Sequence, residues 1–313
     1  MGNNHTRRHF LQVTAAASLT PTAAVMAQTA STRPPVAAPV LTSAQPMINR
    51  PFQLGLASYT LRKFGLDDTI KMTKRVALKN IAFKDSHLPL NSSPETIKSV
   101  AAKVNIAGLN LYGCGVVYMK SEKDVNQAFE YAKAAAMKTI IAAPIHELLP
   151  LVDKMVKEYD IAVAIHNHGP GDKVFPTPES VHEKVKDLDK RIGLCMDIGH
   201  TTRIGEDPSR DAVRFADRLL DIHIKDVSAA KPEGGTVEVG RGVIDIPTFM
   251  RTLYRIQYKG YVSFEYEKDA DDPLPGLAES VGYVNGVIAT IEQPGYMMPS
   301  RPASARTNAA RPR

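Results

Sequence analysis

Between residues 51 and 293 the chain alternates short β-branched or apolar runs with stretches whose apolar positions recur at helical spacing. The short runs predict strands over 53–58, 80–84, 106–112, 139–143, 162–166, 192–197, 220–225 and 261–265. The amphipathic stretches predict helices over 66–76, 94–104, 122–136, 147–158, 178–188, 209–215, 246–256 and 276–291. Strands separated by helices pair in parallel. Eight such units in about 243 residues fit a single-domain α/β (β/α)8 or TIM barrel, in which the C-terminal strand ends carry the site. An open doubly wound sheet is the alternative. No GxGxxG follows the first strand and no GxxxxGK[ST] occurs, so its nucleotide-binding forms lack their usual mark.

The two ends do not share this periodicity. Thr6-Arg7-Arg8-His9-Phe10-Leu11-Gln12 precedes a run of small and apolar residues from Val13 to Ala27. This order resembles a twin-arginine (Tat) export signal, so residues 1–30 are expected to be a signal peptide and the folded chain to be exported or periplasmic. The run is rich in Ala and Thr, holds Pro21, and is too weakly apolar for a membrane span. Residues 31–50 are expected to be a Pro/Ala-rich linker and 294–313 a disordered tail. The net charge of +6 belongs to these ends: residues 1–50 hold four Arg and no acid, and the last twenty hold four more. The core is therefore at about −2, which removes the basic groove that nucleic acid would require. The two cysteines, Cys114 and Cys195, fall in or beside separate apolar strands and are expected to be buried free thiols; no Cys-rich zinc spacing occurs.

Candidate chemistry sits where the last four predicted strands end. The stretches are Ile165-His166-Asn167-His168, Met196-Asp197-Ile198-Gly199-His200, Ile222-His223-Ile224-Lys225-Asp226 and Phe264-Glu265-Tyr266-Glu267. Burying such groups unpaired costs on the order of 1–3 kcal/mol each, and convergence on one ion would remove that penalty. In a barrel these strands are neighbours. His166, Asp197, His223 and Glu265 then form a nitrogen–oxygen donor set suited to a divalent metal, Mn or Zn first, with Co, Fe or Mg also candidates. Singly, each has a bland alternative: a core histidine, a helix cap or a salt-bridge partner.

At these residues the sequence resembles the xylose-isomerase-like barrels, the superfamily of sugar-phosphate isomerases, ketose epimerases and inosose dehydratase. The resemblance runs from Gly55-Leu56-Ala57-Ser58-Tyr59 through His87-Leu88-Pro89 to Ser263-Phe264-Glu265, and is densest in Asp197-Ile198-Gly199-His200 and His223-Ile224-Lys225-Asp226. It implies a divalent metal held by an acid on strand five, the Asp of strand six, the His of strand seven and the Glu of strand eight. Three of these carry over, to Asp197, His223 and Glu265. His166 stands where the sugar epimerases place a Glu, which argues against a two-carboxylate proton exchange.

His200 and Lys225 rank first as catalytic acid and base beside Glu265, with Lys84, His87 and His168 as further rim groups for sugar hydroxyls. Glu267 and Asp226 are expected to orient ligands. Arg241, in Val239-Gly240-Arg241-Gly242, offers either an anion grip or a plain turn. Three functions follow: an isomerase or epimerase working by proton abstraction next to a metal-bound carbonyl, a lyase or dehydratase eliminating beside a ketone, or a non-catalytic sugar-binding barrel. The resemblance and the export signal favour a non-phosphorylated keto sugar, such as a 3-keto-glycoside, as the small-molecule partner. A homo-oligomer is left open.

Overall fold

The computed structural model describes residues 49–293. The expected export signal, nearly all of the expected linker and the expected C-terminal tail lie outside the described residues. The strands are β1 (Gln53–Ala57), β2 (Asn80–Phe83), β3 (Asn110–Met119), β4 (Thr139–Pro144), β5 (Ala162–His166), β6 (Ile192–Asp197) and β7 (Leu219–Ile224), followed by a short antiparallel ribbon, β8 (Asp226–Val227) with β9 (Thr236–Val237), and then β10 (Tyr261–Phe264). Apart from the ribbon they form a closed parallel barrel in the order β1-β10-β7-β6-β5-β4-β3-β2. The helices between them are α1 (Leu66–Arg75), α2 (Pro94–Ile106), α3 (Glu122–Ala134), α4 (Leu149–Tyr159), α5 (Pro178–Val185), α6 (Ile198–Arg203), α7 (Pro208–Arg214), α8 (Ile246–Arg255) and α9 (Leu274–Glu292).

The alternation of side chains along a strand explains how the barrel serves its site. Val163, Ile165, Leu194, Met196, Ile222, Ile224, Val262 and Phe264 face outward into the large core beneath the helices. The intervening positions face the lumen and are small or polar: Ala164 and His166, Cys195 and Asp197, Asp221 and His223, Ser263 and then Glu265. Each of the four strands thus brings one polar group to the top of the lumen above a smaller residue. Both cysteines are free and buried.

Besides the added β8–β9 ribbon, two elements differ from expectation. The third strand, predicted over 106–112, starts at Asn110 and runs on to Met119. Ile106 instead ends α2 and is 88% exposed, because Gly108, at φ +82°, turns the chain out of the helix before the strand begins. The continuation passes a register shift between Cys114 and Val117, and such an interruption hides the alternation from a pattern search. Helix α6 was not expected; it forms because the Asp197 side chain accepts the His200 N–H at 2.7 Å and caps its first turn.

Candidate metal and substrate site

His166 ends β5, Asp197 ends β6, His223 is the penultimate residue of the six-residue β7, and Glu265 follows β10. Their donor atoms all lie within 4.8 Å of one another, and all four residues are buried. His166 Nε2 is 3.1 Å from His223 Nδ1 and 3.5 Å from Asp197 Oδ2. Glu265 Oε2 is 3.2 Å from His223 Nδ1 and 4.0 Å from His166 Nε2. Donors held at 2.0–2.2 Å around a tetrahedral ion stand about 3.4 Å apart, so these separations suit a divalent metal with little rearrangement. Of the buried atoms without a hydrogen-bond partner, Asp197 Oδ2 belongs to this group and would be engaged by a cation there, whereas His166 Nδ1 and His223 Nε2 are the ring nitrogens opposite those that meet the other donors.

Charge leads to the same fit. Burial depresses the pKa of both His166 and His200 to about 4, so both are neutral near pH 7. Lys225, also buried, places Nζ 3.0 Å from Asp197 Oδ2 and 2.9 Å from Glu265 Oε2, and pairs with Glu267 as well. Burial opposes charge on all of these groups, and their mutual attraction outweighs it: Asp197 and Glu265 are held well below the usual carboxylate range and Lys225 well above the usual lysine range. Burial works against charge on His223 too, yet Cys195 and Glu265 hold it well above the usual histidine range, so the metal-free site sets three carboxylates against an ammonium and an imidazolium. A divalent cation would take the place of the His223 proton and neutralise the two negative charges then left. Gly199 makes room for the lysine, since a Cβ there would meet Lys225 Cγ and Cδ at 2.9 Å.

Above the donors a mouth cavity of about 270 Å³ is lined by Tyr59, Lys84, Val116, Tyr118, His166, His168, His200, Glu265 and Glu267. The expected rim groups Lys84, His168 and His200 therefore do meet at one opening. Lys84 Nζ is engaged, donating to Val116 O at 2.8 Å. The His168 ring stacks against Tyr118, whose hydroxyl is 3.1 Å from His168 Nε2. Tyr59, Val116 and Tyr118 were missed; Tyr118 lies in the part of β3 that the pattern did not reveal. Asn167, between the two histidines, accepts the Asp197 N–H at 3.0 Å and donates to Thr201 Oγ1 at 3.2 Å, locking β5 to β6.

Two expected substrate groups, and the expected role of Asp226, are corrected. His87 is not a substrate group: its Nδ1 meets Ser58 Oγ at 2.8 Å, its Nε2 meets Leu61 O at 3.1 Å, and it is buried away from the mouth. It pins the end of β1 to the loop after β2. Arg241 is not an anion grip, because it forks onto Glu279 of α9 on an exposed face. The amides of Gly240 and Gly242 beside it already donate to Asp226 Oδ2 at 2.9 and 3.0 Å. Asp226 accordingly organises the loop after β7 rather than a metal ligand; its Oδ1 also takes the Val227 and Ile244 amides.

Asp221, on the lumen side two residues before His223, is fully buried with Oδ2 unpartnered, and burial raises its pKa to about 7. Below about pH 4 both folded and unfolded chains keep this proton; between pH 4 and 7 only the unfolded chain releases it, so stability falls as pH rises through that window. In the metal-free protein, Asp221→Asn is expected to gain on the wild type by up to about 4 kcal/mol from pH 4 to pH 7, measured as urea midpoints. A difference that does not change with pH would show that Asp221 titrates normally.

A family model described as xylose isomerase-like TIM barrel matches residues 134–285, a segment holding all four donors. Among solved structures, a 3-keto-D-glucoside 4-epimerase from E. coli superposes with TM-score 0.61 at 15% identity, covering 75% of this chain and 99% of that one. The fold is that of the xylose isomerase-like TIM barrels. Curated proteins similar in sequence to this barrel include the rhizopine catabolism protein MocC of Rhizobium meliloti, 28% identical over 154 residues, or 44% of this chain. An inosose dehydratase of Clostridium perfringens is 26% identical over 146 residues, or 41% of this chain. The aligned segments span 46% of the length of each of these two relatives. Among the described residues, no helix of the barrel is long and apolar enough to cross a membrane.

Proposed function

We propose that the chain is a metal-dependent enzyme of the xylose isomerase-like family that removes a proton next to a carbonyl of a non-phosphorylated sugar. The four buried donors, with atoms within 4.8 Å of one another, carry this reading, since a site that only binds sugar has no need of them. His166, Asp197, His223 and Glu265 would hold the ion, with Mn or Zn preferred for this donor set. Such an ion supplies Lewis-acid polarisation of the carbonyl. His200, kept neutral by burial and lining the mouth, would take the proton. Lys225, kept charged by Asp197, Glu265 and Glu267, would stabilise negative charge developing on a nearby oxygen. Tyr118, His168 and Lys84 frame the opening and would orient hydroxyls. The Tat-like N-terminus supports an exported enzyme, and with it a substrate lacking phosphate.

Abstraction has two outcomes, reprotonation (isomerase or epimerase) or loss of a β-oxygen (lyase). Elimination is favoured by one observation: curated relatives by sequence include inosose dehydratases. Incubation with Mn²⁺ and a 3-keto-glucoside in D₂O distinguishes them. Ultraviolet absorbance of a conjugated enone is expected if the sugar eliminates, and deuterium incorporation without loss of the substituent if it isomerises or epimerises. Neither signal, with no metal in the purified protein, would exclude both.

A further inference from the structure

Beside the mouth lies a second cavity of about 180 Å³, whose wall includes Phe83, Leu88, Leu90, Cys114, Val117 and Tyr131. It adjoins the mouth directly, because Lys84, Val116 and Tyr118 line both. We propose that this cavity receives a flat apolar ring carried by the substrate, making the favoured substrate a sugar glycoside with an aromatic aglycone; this rests on the sugar-carbonyl reading above.

Apart from the Asp85 carboxylate, which is 59% exposed and 3.7 Å from Lys84 Nζ, the polar side chains on the cavity wall are engaged or neutral. The Tyr131 hydroxyl donates to Leu88 O at 3.0 Å, and Lys84 Nζ donates to Val116 O. Burial pushes the Cys114 thiol up to about 12, so it presents a neutral sulfur. A sugar hydroxyl placed against Phe83, Leu88, Leu90 and Val117 would give up its water without a partner, at about 1–3 kcal/mol. An apolar ring gives up nothing: a dry cavity of about 150 Å³ is known to hold one benzene. Tyr118, 52% exposed and stacked on His168, stands at the boundary and offers an aromatic neighbour to a ring entering from the sugar side. The polar mouth and the apolar cavity thus match the two halves of one amphipathic ligand.

Calorimetry with the metal-loaded protein tests this, using phenyl and methyl 3-keto-β-glucosides and phenol alone. The phenyl glucoside is expected to bind at least about tenfold more tightly than the methyl one, from burial of one ring. Leu90 is only half-buried on the loop after β2, so Leu90→Glu should fold. In that variant the phenyl advantage should fall to within about twofold while methyl glucoside binding stays the same. Equal binding of phenyl and methyl glucosides by the wild type, or a ratio that Leu90→Glu leaves unchanged, overturns the proposal. If neither glucoside binds but phenol does, and Leu90→Glu abolishes it, the cavity assignment stands and the sugar reading fails. If no phenyl compound binds at all, the cavity assignment fails.

Discussion

Glu265→Gln protein is expected to lose tight divalent-metal binding and to turn over substrate about 10²–10³-fold more slowly, with its fold intact. The substitution keeps the size of the side chain but removes one of the two charged donors; Oε2 is the atom 3.2 Å from His223 Nδ1 and 2.9 Å from Lys225 Nζ. His223→Ala removes the only other donor that touches Glu265 at that range and should give the same loss. Metal content after dialysis, by elemental analysis, and turnover of the preferred sugar check both effects together. A variant that keeps stoichiometric metal would show that Glu265 is a salt-bridge partner of Lys225 and not a ligand.

Lys225→Met is expected to destabilise the metal-free protein by about 3–5 kcal/mol, because it leaves Asp197 and Glu265 buried with no compensating charge. Adding Mn²⁺ or Zn²⁺ should recover much of that loss, whereas the metal-free wild type, which has the ammonium in place, should need the ion less. Thermal melts with and without chelator read the difference directly. Equal melting shifts on metal addition in wild type and variant would show that Lys225 does not share its carboxylates with an ion. Turnover should also fall in the metal-loaded variant if Lys225 acts on the substrate.

Much of the barrel was legible because its outward positions are continuous in Val, Ile, Leu and Phe, while the amphipathic helices fall between them at even intervals. The donors were legible for a related reason: a histidine or carboxylate at a lumen position interrupts an apolar strand, and four such interruptions fall at four neighbouring strand ends. Less visible was anything set by loops. His87 and Arg241 have the right chemistry and the right approximate position, yet a hydrogen bond to Ser58 and a fork onto Glu279 draw them elsewhere. Nothing in one sequence tells where a loop side chain will find its partner. Tyr118 was hidden by the register shift in β3, and the role of Asp226 by backbone amides that come from 14 to 18 residues downstream.

The histidine at the end of β5 has a consequence for reactivity. Position 166 points into the lumen, so a carboxylate and an imidazole are interchangeable there as far as the barrel wall is concerned. What differs is charge. A neutral donor withdraws less of the cation's positive charge than a carboxylate would, leaving a stronger electrophile and a greater preference for oxyanions over neutral hydroxyls. Reversing this with His166→Glu would add a proton acceptor to the mouth while weakening that pull, trading electrophilic for basic character within an unaltered frame.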